Sequence, residues 1–297
     1  MILLRLKGGL GNQMFQYALG RVLALKHNVP LLFNIEAYLD DTPRIGKGHT
    51  MSPRNFQLDV FNTIGRIAEK KEIPWLYRMY GKGRLMLIID ALRRRIFRHK
   101  AQELYARRFD SRFLSLGPDS YIDGFFQSPK YFALYEDVLR KDFTLRYQPQ
   151  EHIQKLFNEI QSKESLCVHI RRGDFVNNKA HSVVDASYYD NALEILRKQI
   201  AIDMVYVFSD DIAWCKETLR FPYPTYFVGP EYVGEKDEGN MFLMSGCKNF
   251  IIPNSTFSWW AVWLSNNKNK KVVAPKVWSL DPQADMGDLV LDEWITL

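Results

Sequence analysis

Two adjacent arginines, Arg171 and Arg172, stand where an apolar run of the chain ends. Residues 166–170 form this run, which has the length of a buried strand, and Gly173 and Asp174 follow the arginines. Unpaired charge is costly to bury, so such arginines bind a ligand or pair with acids. Because a guanidinium can hold phosphate through two parallel hydrogen bonds, the motif predicts a phosphate site or a structural ion pair. Taken alone, the motif does not choose between these two.

His169 shares the strand phase of Arg171, since side chains two residues apart lie on the same face of a strand. We therefore predict that His169 and Arg171 contact the same ligand, with a structural histidine as the alternative. Arg172 is expected on the opposite face. There, pairing with a carboxylate such as Asp174 is the favoured interpretation, and donor binding by Arg172 is the alternative.

Residues 8–13, with the sequence Gly-Gly-Leu-Gly-Asn-Gln, form a turn between a predicted strand and a predicted helix. Glycine lets the backbone approach a ligand closely, and a helix N-terminus attracts anions. The spacing is that of neither a Walker A loop nor a dinucleotide fingerprint. The turn predicts ligand contacts at Gly9, Gly11 and Asn12, with a plain tight turn as the alternative.

Two acids, Asp210 and Asp211, directly follow another predicted strand. They could bind a metal, accept a proton, or hydrogen-bond a ribose or a base. Capping of the helix that begins near Ile212 by one of the two is the favoured interpretation.

A hydroxyl-rich turn follows a later predicted strand and opens a helix. Hydroxyls and backbone amides at such a position form a phosphate cradle, so Ser255, Thr256 and Ser258 are predicted to bind phosphate. Trp259 and Trp260, which come next, are predicted to be a buried aromatic pair.

The elements that must position these turns alternate between strand and helix. This alternation predicts an α/β protein with parallel sheets, in two Rossmann-like domains that face a cleft. We place the domains at residues 1–147 and 148–297, the first on the acceptor side. Arginines in the segment 93–98 are predicted to line a solvated helix face, with peripheral contact to an anionic membrane as the alternative.

Composition narrows the class of protein. Hydrophobic residues make up 46% and charged residues 25% of the 297 residues, as in soluble globular proteins, and the net charge of +6 suits anionic partners. Three widely spaced cysteines form neither a disulfide framework nor a zinc motif, and the first residues lack the layout of a signal peptide. We therefore predict a cytoplasmic protein, with peripheral contact at the inner membrane face as an alternative.

No Asp-x-Asp occurs, so a bound diphosphate would be neutralised by arginines and helix dipoles instead of a metal.

These motifs together resemble the bacterial α-1,2-fucosyltransferases of glycosyltransferase family 11. The matching segments are residues 8–18, 124–128, 169–174, 208–211 and 254–260. The resemblance implies a GT-B fold, GDP-fucose as donor, no metal or other cofactor, and inversion at the fucose anomeric carbon. It also implies that the acceptor is the 2-hydroxyl of a terminal galactose, in an oligosaccharide or a lipid-linked glycan, and that no nucleic acid is bound.

The resemblance also implies roles for single residues. Arg171 would hold the β-phosphate of GDP, with hydrogen bonds from Thr256 and Ser258, while His169 would lie near the nucleoside. Asn12 would lie on the opposite wall, near the sugar and the acceptor.

One position departs from the family pattern. Many relatives have an acid near Asn240. If such an acid reads guanine, Asp237, Glu238 or Asp210 must replace it here, or the contact is weaker.

The mechanism implied by this resemblance passes through an oxocarbenium-like state. Asp174 is the first candidate for the general base and Asp210 the second, although Asp174 could instead orient an arginine. A neutral amide such as Asn12 cannot act as the base.

Rival functions are a fucosyltransferase of other linkage, a transferase of another GDP-sugar, or a non-catalytic glycan- or nucleic-acid-binding protein. Against the last class, the two predicted phosphate cradles lie at turns after strands and not on an extended basic face.

Overall fold

The computed structural model describes residues 1–39, 45–46, 49–50, 54–73, 100–102, 108–173 and 184–297. Two compact units make up the fold: unit 1 comprises Met1–Thr42 and Arg54–Thr144, and unit 2 comprises Pro43–Pro53 and Leu145–Leu297. Each unit has its own parallel sheet.

Unit 1 is built on a five-stranded sheet. Its strands are β1 (Ile2–Arg5), β2 (Leu31–Asn34), β5 (Arg66–Ile67), β6 (Lys100–Gln102) and β7 (Ser120–Asp123), in the order β5-β2-β1-β7-β6 and all parallel. Its helices include α1 (Leu10–His27) and α2 (Glu136–Asp142). Two short strands that belong to unit 2, β3 (Ile45–Gly46) and β4 (His49–Thr50), pair antiparallel.

The long helix α1 begins directly after the glycine turn and packs on the sheet of unit 1. Thirteen of its residues are buried, among them Met14 and Tyr17, because a helix over a parallel sheet is covered on most sides. The helix ends at His27, and Asn28, whose backbone is left-handed (φ 51°), closes its last turn. Lys26 and His27 lie next to the negative end of the helix dipole.

Unit 2 is built on a six-stranded sheet. Its strands are β8 (Ser165–Ile170), β9 (Met204–Ser209), β10 (Thr225–Phe227), β11 (Asn249–Ile251), β12 (Val272–Ala274) and β13 (Ile295–Thr296), in the order β10-β9-β8-β11-β12-β13 and all parallel. Its helices include α3 (Glu151–Gln161), α4 (Ala186–Leu196), α5 (Ile212–Thr218), α6 (Glu238–Ser245) and α7 (Thr256–Leu264).

Each sheet has a switch point beside its first strand. In unit 2 the chain leaves β8 toward β9 and β10, then returns to β11 on the other side. In unit 1 the chain leaves β1 toward β2 and β5, then crosses to the opposite edge at β6 and steps back to β7, which pairs with β1. Ligands of open parallel sheets bind outside the carboxyl ends of the strands at such a switch point. Each switch point is therefore the place to look for a site.

The predicted α/β class with two Rossmann-like units is confirmed by these sheets. The assignment of residues 1–147 and 148–297 as an acceptor and a donor domain stays a prediction. Asp174 and the segment 93–98 lie outside the described residues. Among the helices that the structure describes, none is both long enough and apolar enough to cross a membrane.

Candidate active site

Arg171 lies at the switch point of unit 2, directly after β8, and is held by an acid from the neighbouring strand. Its Nη1 is 2.9 Å from Asp210 Oδ2, and Asp210 Oδ1 accepts a hydrogen bond from the backbone N–H of Arg172 at 2.9 Å. A Cβ on Gly173 would lie 2.5 Å from Asp210 Oδ2. A larger residue at this position would therefore have to displace the carboxylate that contacts both the guanidinium of Arg171 and the N–H of Arg172.

Arg172 makes a second, separate set of contacts. Its Nε is 3.1 Å from Asp211 Oδ2, and its guanidinium lies 3.7 Å from the centre of the Trp214 ring. Asp211 also caps α5 by accepting from the Trp214 N–H at 3.2 Å. Arg172 thus pairs with an acid, which is Asp211, while its role in donor binding stays a prediction. The predicted cap of the helix by one of the two acids is confirmed.

His169 is buried within β8, with 6% of its surface exposed. The pKa of His169 is lowered to about 4, chiefly by burial; the charge of Asp210 opposes this shift and that of Arg171 adds to it. The imidazole is therefore neutral at physiological pH. Its Nδ1 has no hydrogen-bond partner in the described part of the chain, and its ring lies 5.9 Å from that of Phe257 at the start of α7.

The hydroxyl turn lies at the end of β11, on the other side of the switch point. Ser255 precedes α7 and is nearly buried, and Thr256 is half-buried. Ser258 is fully buried, and its hydroxyl donates to Ser255 O at 3.1 Å. The structure thus turns Ser258 inward and leaves the start of α7 to Ser255 and Thr256.

The tryptophans that follow belong to the core. Trp259 and Trp260 are fully buried, with ring centres 5.1 Å apart in an edge-to-face arrangement. The predicted buried aromatic pair is confirmed.

Glu238 is one of the acids predicted as a possible guanine ligand, and its carboxylate is hydrogen-bonded within its own loop. Its two carboxylate oxygens accept from the backbone N–H groups of Glu235 and Lys236 at 3.0 and 2.7 Å. Glu238 therefore shapes the turn before α6.

The switch point of unit 1 holds the glycine turn. Gly8 has φ +81°, and a Cβ there would lie 2.6 Å from Asn12 Nδ2. Gly8 O accepts from Tyr38 Oη at 2.9 Å and from Gln13 Nε2 at 3.1 Å. The turn is thus tied down from two sides, with Gly9 as the first residue before α1.

Asn12 is bonded across this switch point. Its Oδ1 accepts from Nε2 of Gln127, in the turn after β7, at 2.7 Å. Asn12 and Gln127 are 115 residues apart in the sequence, and their hydrogen bond joins the turn after β1 to the turn after β7.

Asp123, at the end of β7, pairs with two cations. Arg5 Nη1 lies 3.0 Å and Lys7 Nζ 2.9 Å from its carboxylate oxygens. Burial opposes its ionisation, but Lys7 and Arg5 together hold the pKa of Asp123 below its usual value. The carboxylate is therefore ionised and fixes the exit of β1.

Sequence reasoning missed three partners in these sites: Trp214, Gln127 and Asp123. A cation stacked on a ring and an amide bonded across two turns depend on distant segments, so no local pattern indicates them. For Gln127 the only hint was the resemblance of segment 124–128 to the family. In the described residues, no group of three or more His, Cys, Asp or Glu side chains is placed to hold a metal ion.

Comparison with known proteins places the chain in a family. Residues 98–297, more than half of the chain, match the family described as Glycosyl transferase family 11. The chain belongs to glycosyl transferase family 11. It is therefore a glycosyltransferase, and its two parallel sheets agree with the GT-B type that was predicted.

Relatives of this family 11 enzyme are similar over different lengths. The α-1,2-colitosyltransferase of Escherichia coli is 30% identical over 100% of this chain and 99% of its own length. The galactoside 2-α-L-fucosyltransferase of Caenorhabditis elegans is 27% identical over 50% of this chain and 43% of its own. The solved fucosyltransferase NodZ from Bradyrhizobium has a TM-score of 0.49 and 13% identity, covering 88% of this chain and 91% of its own.

Proposed function

We propose that this family 11 enzyme transfers L-fucose from GDP-fucose to the 2-hydroxyl of a terminal galactose, with inversion at the anomeric carbon. The observation that carries the proposal is Arg171, held at the switch point of a sheet whose strand order suits nucleotide binding. The names of the relatives add the α-1,2 linkage and the galactoside acceptor.

In this proposal unit 2 binds the donor. Arg171 contacts the β-phosphate, and the N-terminal end of α7, with Ser255 and Thr256, adds hydrogen bonds. Negative charge grows on the diphosphate as the bond to fucose breaks, so these donors stabilise the transition state more than the ground state. Ser258 is not part of the proposed donor site, because its side chain is fully buried and its hydroxyl donates to Ser255 O.

Asp210 is assigned to positioning. Both of its oxygens are engaged, one by Arg171 and one by the Arg172 N–H, so it is poorly placed to take a proton. His169, neutral and buried next to Arg171, is assigned to the nucleoside. Asp174 stays the candidate for the general base that accepts the proton of the galactose 2-hydroxyl.

We propose that Asn12 of unit 1 contacts the acceptor sugar. The amide is half-buried, and its Oδ1 is fixed by Gln127. Gly9 and Gly11 then serve to let the backbone approach the substrate. A metal is not part of the proposed reaction.

A second donor deserves a test because of one comparison. The relative that matches the whole chain transfers colitose according to its name. Colitose is L-fucose without the 3-hydroxyl, so the two GDP-sugars differ by one hydrogen-bonding group. GDP-colitose is therefore the second candidate donor.

The test is turnover of GDP-fucose and GDP-colitose against a panel of β-galactosides, free and lipid-linked, with the linkage of the product determined by NMR. We expect an α-1,2-linked fucosyl galactoside and unchanged rates in the presence of a chelator. A preference for GDP-colitose would replace the donor, a different linkage would replace the acceptor position, and inhibition by the chelator would contradict the metal-free reaction.

A further inference from the structure

Buried glutamines of unit 1 differ in how their amides are satisfied. Gln16 is fully buried, and both ends of its amide bond the backbone of Lys7: its Oε1 accepts from the N–H at 3.0 Å, and its Nε2 donates to the C=O at 3.1 Å. Gln13 likewise donates to two backbone carbonyls and accepts from one backbone N–H. Complete pairing of this kind is the rule for buried polar groups.

Gln127 does not follow this rule. Its side chain is buried, with 5% of the residue exposed, and its Nε2 donates to Asn12 Oδ1 at 2.7 Å. Its Oε1, however, has no hydrogen-bond partner in the described part of the chain. An unpaired buried acceptor is unfavourable, and it indicates that a hydrogen-bond donor from outside the protein completes the group.

The place of this oxygen points to a substrate. Gln127 lies in the turn after β7 and Asn12 in the first turn of α1, which follows β1. These two strands are the neighbours at which the strand order of unit 1 reverses. Ligands of parallel sheets bind there.

The chemistry of the oxygen selects the kind of substrate. An amide oxygen accepts hydrogen bonds only, so it repels a phosphate, whose oxygens also accept. A sugar hydroxyl can donate to it. A neutral sugar therefore fits this position, and a diphosphate does not.

We propose that Gln127 binds a hydroxyl of the acceptor sugar through Oε1, while its Nε2 fixes the amide of Asn12. The proposal rests on the function proposed above, in which unit 1 binds the acceptor. One glutamine would thereby both contact the sugar and set the orientation of the neighbouring amide.

The test is Gln127→Met, which keeps the length of the side chain and removes both polar ends. We expect the KM for the β-galactoside to rise roughly tenfold, the effect of one lost hydrogen bond, with the Kd of GDP and the acceptor-independent hydrolysis of GDP-fucose unchanged. Gln127→Asn, which keeps an amide but withdraws it by one methylene, is expected to raise the KM in the same way and serves if the methionine variant does not fold.

The matched control is Gln16→Met. It removes two hydrogen bonds to the backbone of Lys7, so we expect a lower Tm and an unchanged KM for the acceptor among the folded molecules. The proposal would be overturned if Gln127→Met left the KM for the acceptor unchanged. It would also be overturned if the rate of GDP-fucose hydrolysis fell by the same factor as the KM rose.

The inference can also be tested apart from the reaction. If the wild-type enzyme transfers no fucose from GDP-fucose to any β-galactoside, the proposed function fails. Titration of the β-galactoside alone, followed by NMR, then decides the inference: weaker binding by Gln127→Met than by wild type supports it, and equal binding contradicts it.

Discussion

The two switch points each lie beside the first strand of a parallel sheet, but the side chains around them have different chemistry. In unit 2 the residues after the first strand are arginines, and each is paired with an acid that follows the neighbouring strand β9. In unit 1 the residue that reaches across is an amide, Asn12, and its partner is the amide of Gln127. The ends of the parallel strands thus provide a position for a ligand in both units. The side chains that follow the strands determine whether that position favours anions or neutral hydroxyl groups.

The way in which charge is held also differs. Unit 1 places the ion pair of Asp123 with Arg5 and Lys7 at the strand ends, before the turn begins. Unit 2 places Arg171 and Asp210 after the strands, where both side chains stay about one-fifth to one-quarter exposed. The cations of the two arrangements are similarly exposed, with 18% for Arg5 and 21% for Arg171, but the carboxylate of Asp123 is buried whereas that of Asp210 is partly exposed.

Among these variants, Arg171→Ala is expected to have the largest effect. If the arginine holds the departing diphosphate, we expect turnover to fall by about 10²–10³, as when one oxyanion-stabilising donor is lost. The Tm should stay close to that of wild type, since Arg171 lies after the strand. Steady-state kinetics and thermal unfolding check both, and near-normal transfer by the folded variant would remove Arg171 from the donor site.

Asp123→Asn tests the assignment of the unit 1 ion pair to the fold. The change leaves Arg5 and Lys7 next to each other without the carboxylate that both contact, so we expect a loss of about 3 kcal/mol in the free energy of unfolding. Chemical denaturation measures it. The matched control is Asp119→Asn, whose exposed pair with the N-terminus should contribute less than about 1 kcal/mol. Equal losses in the two variants would contradict the assignment.

The buried His169 of unit 2 is expected to make the stability of the protein depend on pH. The unfolded chain protonates this histidine below about pH 6.5, but the folded chain does so only below about pH 4. The unfolded state therefore binds the extra proton between these values, and stability falls as the pH is lowered through this window. We expect His169→Gln to lose about 2 kcal/mol less than wild type between pH 7 and pH 5. Parallel loss in both proteins, measured by denaturant titration, would show that the histidine is not buried neutral.

Arg172→Lys should have the smallest effect. Lysine keeps the charge but lacks the planar group that stacks on Trp214 and bonds Asp211, so we expect about 1 kcal/mol of lost stability with little change in turnover. Arg197→Lys, in an exposed pair with Glu194, is the control and should be neutral. A large fall in turnover with unchanged Tm would move Arg172 into the donor site.

Local patterns sufficed for much of the fold. The apolar run before Arg171 predicted β8, and the polar residues after it predicted a turn, because both depend on neighbours in the sequence. The cap of α5 by Asp211 was predicted for the same reason. The final strand, β13, was missed, since a two-residue strand carries no periodicity.

The site was predictable only in part. The sequence indicated that Arg171 and Arg172 lie on different faces, but not that Asp210 and Asp211 divide between them. It offered Ser258 as a phosphate ligand, a role that stays a prediction, but it did not indicate that this hydroxyl donates to the carbonyl of Ser255. Such choices depend on rotamers and on strand neighbours that a single segment does not contain.

Residue types and their spacing along the chain were enough to predict the family, the α/β class and the turns that carry the polar residues. Which side chains meet depends on the packing of the folded chain. The strand order brings β1 beside β7 and β8 beside β11, so residues more than 100 positions apart, such as Asn12 and Gln127, come within 2.7 Å. Partners, burial and the shifted pKa of His169 all result from that packing.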